Sequence, residues 1–160
     1  MRRWGSEHAD TWVWLHAADF GAAPEAWLDL VLARIKVGPA RSPWTAMGAL
    51  GLAGERIMLG GLGRPPLVEA RPDRLTARIS APRARLLLSV AAGDTDPVAV
   101  TYADPQGGTR AVRHAALAGI KLTLRRPGRP ELTLSSSRGA YEYGTAQPGS
   151  GIVPQPLPEG

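Results

Sequence analysis

The sequence predicts an all-β fold of about 8 to 10 antiparallel strands, which form either a sandwich or a single β-barrel. Short apolar runs recur at roughly ten-residue spacing from Leu67 onward, with Pro, Gly and Asp between them. Apolar and polar residues alternate cleanly in several runs, such as Leu75 to Ser80, so each of these strands is expected to have one solvent-exposed face. The chain of 160 residues fits one domain that buries its own core.

The strands can be assigned in order along the chain. The stretch from Trp4 to Phe20 contains the first strand, and Trp27 to Val37 is the second, although its apolar spacing also fits a short helix. Ala53-Gly54 predicts a hairpin turn between two glycine-rich strands. Later runs read LVEA, LTARIS, ARLLLSVAA, VAVTYA, TRAVRHAA, IKLTLRR, ELTLSS and AYEYG. Residues 1–144 form the predicted barrel, and residues 145–160 a Pro/Gly-rich C-terminal tail.

Composition argues against several classes of function. The net charge of +5 comes from scattered arginines without interleaved aromatic residues, so it predicts a solvated surface and no nucleic-acid partner. The chain has no cysteine, and its 3 histidines lack paired ligand spacing, so we expect no metal and no cofactor. No apolar run reaches the roughly 20 residues of a membrane span, and no signal-peptide pattern is present. The expected location is cytoplasmic.

The first strand holds the densest aromatic chemistry of the sequence. On a strand, the bulky rings project to one face: Trp12, Trp14, His16 and Phe20. The aliphatic side chains project to the other face: Val13, Leu15 and Ala17. We expect the aromatic face to line the barrel interior and bind a small apolar ligand, and a partner to cover the aliphatic face. Alternatively, the two tryptophans are core packing and His16 is a wall residue.

Four segments carry a resemblance to a known family. WGSEHADTWVWLHAADF, TYADPQG, RHAALAGIKLTLRRPG and GAYEYG extend from about Trp4 to about Gly144. Together they resemble the lipocalin-like superfamily that includes tocopherol cyclase, carotenoid 1,2-hydratase and AttH-type proteins. Chains of that superfamily usually carry two barrels in tandem, and this chain is similar to the second barrel alone. The resemblance implies a lipocalin-like barrel, an isoprenoid or polyketide-like ligand, and a homodimer or separate partner barrel that completes the pair.

The resemblance also implies acid-initiated cyclisation, isomerisation or hydration of a C=C bond. Such chemistry needs an acid kept protonated by burial, and aromatic faces that stabilise a developing cation. The candidate catalytic residues are His16, Asp104 and Glu142. The candidate ligand-binding residues are Trp12, Trp14, Phe20, Trp44, Tyr102 and His114. Alternatively, Asp104 is simply a turn residue, and His114 is a hydrogen-bonded residue in the wall of the barrel.

Three functions therefore remain open at this point. The first is binding of a small apolar molecule in a barrel pocket. The second is a cyclase, isomerase or hydratase of the same architecture, which a titratable group inside an apolar pocket would favour. The third is a half-barrel subunit that partners another barrel, which an exposed apolar patch would favour.

Overall fold

The computed structural model describes residues 9–61, 63–93, 97–103 and 108–153, with only the backbone of Tyr102. The prediction of an all-β, antiparallel fold is confirmed, although 11 strands form where 8 to 10 were expected. In chain order they are β1 (Ala9–Ala17), β2 (Trp27–Val37), β3 (Ala40–Arg41), β4 (Thr45–Leu52), β5 (Glu55–Gly60), β6 (Leu67–Arg71), β7 (Arg74–Ala81), β8 (Ala84–Ala91), β9 (Val98–Ala103), β10 (Thr109–Arg125) and β11 (Leu132–Thr145). In the part of the chain that the structure describes, no helix is capable of crossing a membrane.

One antiparallel sheet contains all the strands. Its order is β5-β4-β2-β1-β11-β10-β8-β7-β6, while β3 pairs with β2 and β9 pairs with β10. Cα atoms of β5 come within 8 Å of Cα atoms of β7, so the sheet curls back towards itself. The ends of the sheet are β5 and β6. Among the described residues, β5 pairs with neither β6 nor β7, and hydrogen bonds therefore do not close the sheet.

The two longest strands, β10 and β11, are longer than the predicted spacing of roughly ten residues. TRAVRHAA and IKLTLRR were expected as separate strands, but both, except for Arg126, belong to the 17-residue β10. ELTLSS, except for Glu131, and AYEYG likewise fall within the 14-residue β11. The register between β10 and β11 shifts between Ala115 and Ala118, and again before Ile120. The break in alternation thus marks β-bulges, which let one strand bend and pair with β9 along its first half and β8 along its second.

Other local predictions hold. The Trp27 to Val37 segment is a strand rather than a helix, and Ala53-Gly54 connects β4 to β5. Thr145 still belongs to β11, and the Gln147 side chain donates hydrogen bonds to Asp10 and Thr11. The first residues of the predicted tail are therefore attached to the sheet.

Aliphatic side chains fill the inner face of the sheet. Alternate residues of β7, among them Leu75 and Ile79, are buried as the sequence predicts. Phe20, just beyond β1, is fully buried. The largest fully buried side chains are Tyr141, Phe20, Leu15, Leu28, Leu30, Leu32, Leu50, Leu75, Ile79, Leu86, Ile120 and Leu122. They belong to one hydrophobic core.

Tyr141 carries the one hydroxyl among these largest buried side chains. The hydroxyl donates a hydrogen bond of 2.6 Å to the carbonyl oxygen of Arg71, at the turn between β6 and β7. Burial raises the pKa of the Tyr141 phenol well above its ordinary value, because ionisation would place a charge in the core. Burial also raises the pKa of Tyr143.

We expect the protein to lose stability at alkaline pH through Tyr141. A raised folded-state pKa means that its contribution is fully present below pH 10, the unfolded value. Above pH 10 the unfolded phenol ionises first, so the free energy of unfolding falls by up to about 1.4 kcal/mol per pH unit. Urea titrations at pH 9, 10 and 11 measure this loss. The decline should be shallower in Tyr141→Phe, and an equal decline in both proteins would contradict the assignment.

Candidate functional site

The aromatic residues of β1 lie on the outer face of the sheet. Val13, Leu15 and Ala17 are fully buried in the core, whereas His16 is exposed and Trp14 is half-buried. The prediction that the aromatic face lines the interior is therefore wrong, as is the prediction that a partner covers the aliphatic face. Leucines of the neighbouring β2 and Tyr141 of β11 already fill the inside. On the outer face, the indole N–H groups of Trp12 and Trp14 donate hydrogen bonds to carboxylates.

Strand register brings five predicted site residues together on this outer face, with Trp12 two positions before Trp14 on β1. Trp14 lies opposite Glu142 of β11, and Glu142 lies opposite His114 of β10. His16 follows Trp14 by two positions and projects to the same face. Glu142 points outward because Tyr141 and Tyr143, its chain neighbours, face the other way. We call Trp12, Trp14, His16, His114 and Glu142 the outer-face cluster.

The rings of the cluster are close to parallel. The centroid of the Trp14 ring lies 6.2 Å from that of His16, with an interplanar angle of 15°. The His114 ring lies 6.4 Å from Trp14 at 18°. Such spacing lies within the range of offset aromatic pairs. The three rings therefore form a stacked row on the outer face of the sheet.

Carboxylates hold the two indoles in place. The Nε1 of Trp12 donates to Oε1 of Glu142 at 3.2 Å, and the Nε1 of Trp14 donates to Oδ1 of Asp29 at 3.2 Å. The other oxygen of Glu142 lies 3.6 Å from Nδ1 of His114. Glu142 thus links an indole to an imidazole across three strands.

A glycine lets the Trp12 ring lie flat against β11. A Cβ added to Gly144, which is opposite Trp12, would come within 2.0 Å of Cζ2 of the indole. The guanidinium of Arg110 covers the ring at 5.7 Å from its centroid. Sequence reasoning missed Gly144 and Asp29. Neither position stands out in the sequence, because only the strand register brings Gly144 opposite Trp12 and Asp29 close to Trp14.

The remaining predicted site residues do not join the cluster. Phe20 is part of the core, and Trp44 packs partly against the core, with the guanidinium of Arg34 at 5.5 Å from its ring centroid. Asp104 and the side chain of Tyr102 lie outside what the structure describes. Across the described ranges, no three histidine, aspartate or glutamate side chains group in a way that could hold a metal ion.

A row of apolar side chains extends the cluster across the sheet. The directly opposed residues Met47, Val31 and Trp14 run from β4 to β1, and His114 and Val98 continue the row on β10 and β9. Met47, Val31 and Val98 are 73%, 38% and 52% exposed, respectively. The outer face therefore presents apolar surface on both sides of the aromatic rings.

No protein-family model, curated protein or solved structure matches this chain. The resemblance to the lipocalin-like superfamily therefore stays a prediction.

Proposed function

We propose that the protein binds a small, flat, apolar molecule on the outer face of its sheet, at the outer-face cluster. The observation that carries this proposal is the near-parallel arrangement of Trp14 with His16 and His114. Aromatic rings that are held in place before binding can contact an apolar ligand at little entropic cost. The ligand class is the one expected from the sequence, but the site is on the outer face of the sheet.

The polar groups of the cluster would orient the ligand. Asp29 and Glu142 each use one oxygen to accept an indole N–H, which leaves acceptor capacity beside the rings. The imidazoles of His16 and His114 add hydrogen-bond donor or acceptor atoms beside the Trp14 ring. A few polar groups around a mainly apolar surface are typical of small-molecule sites.

Acid catalysis at the same cluster is a second proposal. The His114–Glu142 contact of 3.6 Å favours it, because such a pair can exchange a proton with a bound molecule. However, His16 is exposed and Glu142 is 32% exposed, so neither group has the burial that protonation of a C=C bond requires. Binding is therefore the function that the geometry supports best. A homodimer or partner barrel over the outer apolar row is also a proposal.

We expect Trp14→Ala to weaken binding of N-phenyl-1-naphthylamine, a neutral apolar fluorescent probe, by about tenfold or more. A stacked aromatic ring contributes about 0.5–1.5 kcal/mol beyond its buried area, and 1.4 kcal/mol corresponds to tenfold. Fluorescence titration measures the affinity. Native mass spectrometry of the same samples detects co-purified small molecules and the number of subunits.

Trp27→Ala is the matched control for the probe experiment. Trp27 lies on the same outer face but outside the cluster, where its ring covers Gly51 and the guanidinium of Arg56 lies 5.5 Å from the ring centroid. The control should retain the affinity of the unmodified protein. Equal affinity in Trp14→Ala and the unmodified protein, or an equal loss in both variants, would contradict a site at Trp14.

A further inference from the structure

A second candidate site lies where three hairpin turns meet. The turns are β4–β5, β7–β8 and β10–β11, and they surround a cleft of about 700 Å³. Four arginines line it: Arg56, Arg83, Arg126 and Arg129. Among the described lining residues Glu55 is the one acid, so the cleft has a formal excess of three positive charges. None of the lining residues belongs to the outer-face cluster.

Two of these arginines are held in place by other side chains. The Nη1 of Arg126 lies 2.9 Å from Oε2 of Glu55, and this contact connects the β10–β11 turn to the start of β5. The guanidinium of Arg56 lies over the Trp27 ring, 5.5 Å from its centroid. Cation–π and ion-pair contacts of this kind fix a guanidinium without removing its charge.

The other two arginines line the cleft from the β7–β8 and β10–β11 turns. Arg83 and Arg129 are exposed, and within the described ranges neither has an ion-pair partner. Arg83 is the second residue of the two-residue turn that follows Ala81, after Pro82. Its φ of 54° lies in the left-handed region, where glycine or asparagine is usual. The turn therefore keeps an arginine at a position where glycine would be less strained.

We propose that this cleft binds a small molecule that carries two or more phosphate groups. Guanidinium groups match phosphate oxygens with paired hydrogen bonds, and converging positive charges repel each other until an anion lies between them. A volume of about 700 Å³ falls in the range of small-molecule sites. Met58, Pro82 and Pro127 supply an apolar wall for the rest of the molecule.

Isothermal titration calorimetry with inorganic tripolyphosphate tests this proposal on the full chain. We expect one binding site per chain, with at least tenfold weaker binding of orthophosphate because it reaches fewer guanidinium groups. Arg83→Gly should weaken tripolyphosphate binding at least tenfold while the melting temperature stays equal or rises. Loss of binding with retained stability separates a ligand contact from a structural role.

Arg85→Ala is the matched control, because it removes the same charge two residues away but outside the cleft. It should bind tripolyphosphate within about twofold of the unmodified protein, since Arg85 does not line the cleft and an exposed charge interacts only weakly across solvent. No binding by the unmodified protein, or equal losses in Arg83→Gly and Arg85→Ala, would overturn the proposal. A single-stranded DNA dodecamer that binds more tightly than tripolyphosphate, with equal losses in the two variants, would also overturn it. Neither result depends on the outer-face cluster.

Discussion

Tyr141→Ala is expected to lower the free energy of unfolding by about 3–5 kcal/mol, the usual cost of deleting a buried aromatic ring. Tyr141 is fully buried and belongs to the core that the inner face of the sheet forms. Its loss leaves a cavity between β11 and the β6–β7 turn and frees the carbonyl oxygen of Arg71 from its hydrogen bond. Urea unfolding followed by circular dichroism measures the change.

Tyr141→Phe separates the hydroxyl from the ring. The ring still fills the core, so we expect a loss of about 1–1.5 kcal/mol from the hydrogen bond alone. A loss below about 1 kcal/mol in the alanine variant would show that the core can collapse around the site. The inferred packing of Tyr141 would then be wrong.

Asp10→Ala is expected to cost about 2–3 kcal/mol, because hydrogen bonds to a charged acceptor are stronger than neutral ones. Asp10 is 7% exposed, and its carboxylate accepts from Nε of Arg41 at 2.7 Å and from Nε2 of Gln147 at 2.8 Å. This one group therefore attaches β3 and the segment after β11 to the start of β1. Chemical unfolding measures the loss.

A double-mutant cycle with Arg41→Ala tests the Asp10 contacts. Arg41 is 45% exposed, so its own replacement should cost less, and the two losses should not add. In Asp10→Ala we also expect faster protease cleavage near Gln147, because the Gln147 side chain loses one of its two hydrogen bonds to β1. Additive losses, together with unchanged cleavage, would show that Asp10 does not connect these segments.

Much of the fold follows from alternation in the sequence. Where one face of a strand is exposed to solvent, the alternation of apolar and polar residues indicates the buried face. The residues predicted to face inward on β7 and on the second half of β10 are indeed buried. The bulges of β10 were not predictable in the same way. A bulge breaks alternation as a turn does, and only pairing with β11 reveals that the strand continues.

The orientation of β1 shows the limit of this reasoning. Both of its faces carry apolar residues, so period two cannot tell which face is buried. The choice depends on neighbours far away in sequence: Tyr141 continues the inner face, while Asp29 and Glu142 provide acceptors for the indoles outside. The residues of the outer-face cluster were largely predictable, but their position was not.

The cleft lined by Arg56, Arg83, Arg126 and Arg129 could not be predicted from the sequence. Glu55, Arg83 and Arg126 belong to three different hairpins, and no local spacing connects them. They meet because the sheet curls until β5 approaches β7. A scattered set of charges along the chain thus becomes a concentrated positive field at one place.

The two ends of the sheet, β5 and β6, each have one edge that pairs with no described strand, and such edges affect how the protein resists aggregation. A free strand can pair with a strand of another molecule unless its sequence discourages it. Pro65 and Pro66 directly precede β6 and have no backbone N–H to donate, and Glu69 and Arg71 place charges along that short strand. Intermolecular β-pairing at β6 is therefore disfavoured, and the chain can leave its sheet open there without forming fibres through this strand.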